Sequence, residues 1–287
     1  MQLTPQDEAF LYEKAKQIRI DIIDTLTTAG SGHTAGPLGM ADIFTALYFY
    51  AANIDPKNPD DPERDRIILS NGHIIPVRYV AMAHRGFFPK SELKTLRKFG
   101  SRLQGHPERI ILPGLETTSG PLGSGLGQAA GMAYAAKMDD KTHMAVYCLL
   151  SDGEMQAGNI WESAMFAAAN KLHNLVGIID RNNIQINGQT EEVMPLESLA
   201  DKWRSFNWHV LEIDGHNMRE IITALDHARA IQEKPIMIIA HTVPGKGIPS
   251  IEYDYHWHGK PPKKEEQAKF LKELRTLKGS ISASHHE

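Results

Sequence analysis

Disulfides have no place in this chain. Its 287 residues contain one cysteine, Cys148, set in the apolar run MAVYCLL. An internal bridge is excluded, and the residue reads as a small core side chain in a protein of a reducing compartment. No apolar run approaches the ~20 residues that span a bilayer. The opening MQLTPQDEAFLYEKAK lacks the charged-then-apolar order of a signal peptide. Neither sign of charge dominates, with 31 Lys and Arg against 35 Asp and Glu and a net charge of −4. That balance argues against nucleic acid or a membrane surface as the main partner. A soluble, cytoplasmic protein is the expectation. Internal repeats, low-complexity tracts and a dividing linker are also missing. The length suits one large α/β domain over residues 1–262, followed by a C-terminal helix and polar tail over 263–287.

Histidine, by contrast, is plentiful, at 14 residues. Several histidines adjoin glycine, among them Gly32-His33, Gly72-His73, Gly105-His106 and His258-Gly259. Glycine lets backbone and ligand approach closely, so these pairs hint at a site.

The patterning alternates between helix and strand. DEAFLYEKAKQIRIDIIDTLTTAG repeats apolar residues at helical spacing and stops at Gly30. SGHTAGPLG reads as a loop, MADIFTALYFYAA as a buried helix, RIILS as a short strand with NGH turning after it, and SELKTLRKFG as a short helix. The glycine-rich SGPLGSGLG leads into a helix of small residues. HMAVYCLLS, NIWESAMFAAANKLHN and LVGIID then form a strand–helix–strand unit, which should be parallel and right-handed. WHVLEIDG and KPIMIIAHT read as further strands, flanking a helix capped by Asn217. Strands alternating with helices predict a doubly wound, mainly parallel sheet covered on both faces.

In such sheets ligands bind beyond the carboxyl ends of the strands. Asp152 follows one strand, and Asp180 and Asn182 follow the next. If those strands are neighbours, Asp152 and Asn182 present hard oxygen donors to one crevice, and a carbonyl of the following turn adds a third. Mg²⁺ takes about six oxygens and commonly shares them with phosphate and water. Gly153 would let backbone approach a diphosphate. The same residues also suit ordinary turns, since Asp-Gly and Asn-rich turns after strands are common. Asn159 and Glu162 have the spacing of a capping box at a helix start. The loop with Gly123, Gly125 and Gly127 is no P-loop, and no strand precedes it as a dinucleotide fingerprint requires.

Several stretches together resemble one family. GSGHTAGPLGMADIFTALYF, LSNGHIIPVRYVAM, LQGHPE, TTSGPLGSGLGQAAGMA and SDGEMQAGNIWESAMFAAANKLHNLVGIIDRNNIQINGQT occur in that order, followed by IDGHN, VPGKG and HWHGKPP. Over roughly residues 10–262 the chain is similar to the N-terminal, diphosphate-binding part of the transketolases. The resemblance implies thiamine diphosphate and Mg²⁺ as cofactors, with Ca²⁺ or Mn²⁺ as substitutes. It implies Asp152, Asn182 and the Ile184 carbonyl as metal ligands. Gly120, Pro121 and Leu122 match the segment at the aminopyrimidine end of the cofactor, and Gly153 and Glu154 fall at its diphosphate. His73 and His258 match histidines near the diphosphate and thiazolium. His33 and His106 match those that handle substrate hydroxyls. Glu162 matches an acid that links paired sites across a dimer.

There are departures. Ser151 stands where a glycine is usual, Ala157 where an acid is usual, and HTAG replaces an HPGG-like loop. Whole members of the family are much longer than this chain. The implied form is a split transketolase, in which a second chain carries the pyrimidine-binding and C-terminal domains and the two assemble as α₂β₂. The implied reaction moves a two-carbon ketol group from a ketose phosphate to an aldose phosphate, by default xylulose 5-phosphate and ribose 5-phosphate. Arg102 and Arg181 are candidates for the sugar phosphate by location only. Three rival readings are the α subunit of a 2-oxoacid dehydrogenase, a fragment of a deoxyxylulose-phosphate synthase, and a non-catalytic regulatory subunit.

Overall fold

A computed structural model describes residues 3–276 of the chain. The predicted tail GSISASHHE lies outside the described residues. Helix α1 (Pro5–Ala29) starts in a capping box, where Thr4 and Asp7 satisfy each other's backbone N–H groups, and stops at Gly30 with φ 63°. Next come α2 (Ala35–Gly39) and α3 (Ala41–Ala46), the latter running into a π-helical turn over Leu47–Ala51. Strand β1 (Arg66–Leu69) leads through a 3₁₀ turn to α4 (Ile75–Arg85). Helix α5 (Ser124–Met138), β2 (Val146–Ser151), α6 (Gly158–Ala169) and β3 (Leu175–Arg181) form the central unit. A small ribbon of β4 (Ile184–Gln185) and β5 (Gly188–Gln189) follows, then α7 (Thr190–Val193) and α8 (Leu199–Ser205). The chain continues through β6 (His209–Asp214), α9 (Met218–Ala230), β7 (Ile236–His241) and α10 (Lys264–Thr276).

The main sheet has the order β1-β2-β3-β7-β6, with every pairing parallel. Alternate residues of the central strands enter different cores. Tyr147, Val176, Ile178, Ile236 and Ile238 pack into one layer with residues of α1, α3, α4 and α9. Val146, Cys148, Leu150, Leu175, Ile179 and Met237 pack into the other with α5, α6, Trp203 and Trp208. Both faces are therefore dry, which is why these strands read as continuous apolar runs. Gly177 leaves room for the buried Met237 side chain, whose end would stand 2.4 Å from a Cβ there.

The doubly wound, mainly parallel sheet predicted from the patterning is what the chain forms. Four local readings are corrected. The predicted loop SGHTAGPLG contains α2, and the predicted single helix after it is a short α-helix plus a π turn. SELKTLRKFG makes only a 3₁₀ turn over Lys90–Thr95. The Asn159–Glu162 capping box does not exist: α6 begins at Gly158 with Ala157 at its N-cap. The Asn159 side chain instead packs against Gly123, where a Cβ would meet its Oδ1 at 2.2 Å. The buried helix α4 went unread, because its proline and arginine obscure an apolar stripe whose Arg78 is internally paired with Glu116. Asn217 does cap α9, accepting from the N–H groups of Arg219 and Glu220.

The start of α5 lies against the end of β1. A Cβ on Gly125 would stand 2.6 Å from the Ser70 Cα, whereas one on Gly131 meets nothing within 4 Å. Gly125→Ala should lower stability by about 1–3 kcal/mol through overpacking. Gly131→Ala in the same helix should raise it by about 0.5–1 kcal/mol. Urea denaturation of the two variants checks the pair.

Candidate functional site

The parallel pairing brings the carboxyl ends of all five strands to one edge. Ser151 pairs with Asp180, Asp180 with Ala240, and Arg181 with His241. Asp152 and Asn182 thus leave neighbouring strands side by side, as the sequence reading required. A cleft of about 420 Å³ opens there, lined by His33, His73, His106, Gly120, Leu122, Asp152, Gly153, Glu154, Asn182, Ile184 and His258. Gln156, Gln185, Ile186 and Asn187 also line it. They were missed, although the last three belong to the same polar turn as Asn182. Pro121 is exposed and does not line the cleft. Glu162 lies outside it, exposed on α6. Neither arginine proposed by location lines the cleft. Arg102 is bidentate to Glu92 at 2.8 Å. Arg181 is buried among Asp152, Glu191 and Glu197 at 3.1, 2.7 and 2.6 Å.

Asp152, Glu154 and Asn182 are each fixed by partners. Asp152 is almost fully buried; its Oδ2 accepts from Arg181, from the Asn183 N–H at 2.8 Å and from Thr190. Its Oδ1 accepts only the adjacent Gly153 N–H, at 2.7 Å. Burial pushes the Asp152 carboxyl up, against the pull of Arg181 and the N–H donors. Asp180 sits behind Asn182: it accepts from the Asn182 amide at 2.8 Å and from the Thr242 hydroxyl. That fixes the amide so that its oxygen turns to the Ile184 N–H, at 3.0 Å. Glu154 spends its carboxylate on the protein, accepting from the Ser70 hydroxyl and from the N–H groups of Gly123 (2.5 Å) and Ser151 (3.2 Å).

Three histidines face one another. The ring centroids of His33 and His73 are 5.0 Å apart, His73 and His258 5.1 Å, and His33 and His258 5.6 Å. Burial, with His258, Arg97 and His106 nearby, takes His33 down to about 4. Burial also lowers His73, His106 and His258. At neutral pH the cluster is uncharged and can accept as well as donate protons. Nδ1 of His33 and of His258, both side-chain polar atoms of Asn71, and the Ser119 hydroxyl are buried without a hydrogen-bond partner. Unmade bonds of this kind are costly in a native protein, and their gathering beside the cleft marks groups kept for a ligand. The loop of His33 is tied to that of His258 by Thr34, whose hydroxyl donates to the Lys260 carbonyl at 2.6 Å.

These features have counterparts in known proteins. Residues 12–278 match the family model described as transketolase, thiamine diphosphate binding domain. The chain belongs to the transketolase family. Over 237 residues it is 44% identical to the 6-deoxy-6-sulfo-D-fructose transketolase subunit SqwG of Clostridium sp. (strain MSTE9), covering 83% of this chain and 86% of that one. Over 261 residues it is 41% identical to one subunit of the apulose-4-phosphate transketolase of Phocaeicola vulgatus, covering 91% and 92%. The crystal structure of transketolase from Campylobacter jejuni superimposes with a TM-score of 0.88 at 35% identity, covering 98% of this chain but 44% of that one. The chain therefore spans less than half of a full-length transketolase and nearly the whole of these separately encoded subunits. Both of the other thiamine-enzyme readings give way to the transketolase subunit on this evidence.

The neutral histidine cluster has a consequence for stability. His33 has its folded-state pKa below its unfolded value of 6.5, so the unfolded chain binds more protons between about pH 6.5 and pH 4. His33 therefore supports the fold above that window and ceases to as pH falls through it. His73 and His258 act in the same direction. Urea midpoints should fall from pH 7 to pH 4.5, and less steeply in His33→Gln.

Proposed function

We propose that this chain is the diphosphate-binding subunit of a two-chain transketolase that moves a ketol group between sugars with an anionic terminus. The observation carrying this reading is the convergence of Asp152, Asn182, Ile184 and four histidines on one cleft at the carboxyl edge of the sheet. The two subunit relatives named above are transketolase subunits for a sulfonated ketose and for a phosphorylated sugar, which supports an anion-tailed sugar as substrate class here.

The donor set fits a hard cation holding a diphosphate. Asp152 Oδ1, the Asn182 amide oxygen and the Ile184 carbonyl are all oxygens. Among the described residues no group of three or more His, Cys, Asp and Glu is placed to hold a metal alone. A Mg²⁺ ion held there would complete its shell with phosphate and water. Gly153 fits the backbone approach, since a Cβ would meet the Gln185 side chain at 2.5 Å. When bound, thiamine diphosphate supplies the carbon nucleophile and electron sink. The chain's own part is to orient and to move protons. His33 and His106 take and return protons at the sugar hydroxyls, for which neutral imidazoles are suited. His73 and His258 close the wall beside the reacting carbon and exclude water. Glu154 acts through backbone, holding Gly123 and Ser151 in place.

A partner carrying the pyrimidine-binding domain completes the site in this reading. Self-association to α₂β₂ is supported by an exposed apolar surface on α5 and α6, where Tyr134 and Phe166 meet edge to face at 5.6 Å beside Met138 and Met165. Glu162 lies on the same α6 surface. A cytoplasmic setting suits the lone buried thiol; no helix among the described residues is long and apolar enough to cross a membrane.

Co-purification from the native host should recover a second chain with a thiamine pyrimidine domain, and the reconstituted pair should transfer ketol groups. Asp152→Ala should abolish the Mg²⁺-dependent activity of that pair and weaken thiamine diphosphate binding by roughly 100-fold or more in calorimetry. Unchanged activity and binding would sink the metal assignment.

A further inference from the structure

Arg97 occupies a position that the reading above does not use. It follows the 3₁₀ turn Lys90–Thr95 and has φ 60°, a left-handed backbone that is rare for arginine. Its N–H donates to the Leu103 carbonyl at 2.9 Å, closing the loop that leads to His106. Its guanidinium reaches in two directions: Nη1 donates to the Ser31 hydroxyl at 2.9 Å, and Nη2 lies 3.4 Å from the Gly105 carbonyl. Ser31 is two residues before His33, and Gly105 is one before His106. The guanidinium lies so close over Gly105 that a Cβ there would stand 2.8 Å from Nε and 2.9 Å from Cζ. The same Nε is 4.0 Å from a Cβ built on Gly32. The arginine thus crowds Gly105, while Gly32 is set by its φ of 129° and by Leu26, whose Cδ2 would stand 2.6 Å from a Cβ there. Arg102, five residues on, spends its charge on Glu92, but Arg97 has no carboxylate partner among the described residues.

We propose that Arg97 is a positioning residue for ketol transfer, a bridge that holds the His33 and His106 loops at a fixed separation so that both imidazoles meet the same substrate. This rests on the transketolase reading for the reaction, but not for the bridge itself. The unpaired charge has a second effect. Burial lowers His33 and His106 most, and Arg97 lowers both further; His73 and His258 also face His33. An arginine with no acid beside it thus adds to burial in disfavouring protonation of the two imidazoles.

Two variants separate the bridge from the charge. Arg97→Met removes both, while Arg97→Lys retains charge but loses the planar fork. In the free chain, NMR titration should show His33 and His106 at higher pKa in Arg97→Met and nearly unchanged in Arg97→Lys. In the reconstituted pair, kcat of Arg97→Met should fall roughly 10- to 100-fold, the scale of a misplaced catalytic group. The fall should be equal for a phosphorylated aldose and for glycolaldehyde, and the acid limb of the pH profile should move upward. Arg97→Lys should restore the pH profile and only part of kcat. Ser31→Ala, which cuts the other end of the bridge, should lower kcat in the same direction by less. Resonances and titrations of His33 and His106 that stay unmoved in Arg97→Met, Arg97→Lys and Ser31→Ala of the free chain overturn the bridge whether or not the pair proves to be a transketolase. A loss confined to KM for the phosphorylated aldose also overturns it, making Arg97 an anion contact. Absence of ketol transfer in the wild-type pair, with the titrations moved, counts against the proposed function alone and leaves the bridge standing.

Discussion

One buried carboxylate holds the working edge of this molecule together. Glu154 takes donors from the end of β1 through Ser70, from the end of β2 through Ser151, and from the glycine loop through Gly123. Ser70 in turn accepts from the Gly125 N–H at 3.0 Å, at the first turn of α5. Three separate stretches of chain are thereby locked around one side chain that water cannot reach. Its burial raises the pKa of the group, and the donors offset that cost. Without this knot the Asp152 turn and the glycine loop would have no fixed relation, and the cleft between them would have no defined shape.

A second buried network performs the same service for the loop after β7. His216 accepts from the Val243 N–H at 2.7 Å through Nε2, so its Nδ1 carries the proton and donates to Asp42 at 2.8 Å. Asp42 also takes a bidentate pair of bonds from Arg19. Although burial opposes it, this pairing holds Asp42 well below the usual carboxylate range. The network fastens the loop after β7 to α1 and α3. The carboxylates at the site and behind it are thus partnered, while the imidazoles of His33 and His258 each keep a buried nitrogen unpaired among the described residues. Tightly paired groups give rigidity, while unpaired imidazoles and amides await a ligand.

Legibility along the chain varied with the kind of physics involved. The βαβ core was readable because burial on both faces forces unbroken apolar strands, and because Gly30 and Asn217 are local stop and start signals. Asp152 and Asn182 were readable because parallel sheets place ligands at strand ends. Helix α4 was not, since Arg78 looks like a surface residue until Glu116 and Tyr48 are seen around it. The Asn159–Glu162 pattern misled because a close approach by Gly123 claimed the asparagine. Arg102 and Arg181 were misplaced for a related reason: an arginine's partner can lie anywhere within its reach, and sequence position does not say which acid it meets.

Sequence alone therefore determined the fold class, the order of the five main strands, and the hard oxygen donors beyond two of their ends; the histidines were legible through the likeness to the transketolases. Fold class and strand order follow from periodicity and short-range backbone preferences, which act between residues close in the chain. Tertiary structure decided which groups share a bond. It assigned one oxygen of Asp152 to Arg181 and left the other to a glycine N–H, brought His33, His73 and His258 within 6 Å of one another although the chain separates them widely, and laid Arg97 across Gly105. Such contacts depend on the register of the sheet and on loops meeting across it, and only the packed chain sets those distances.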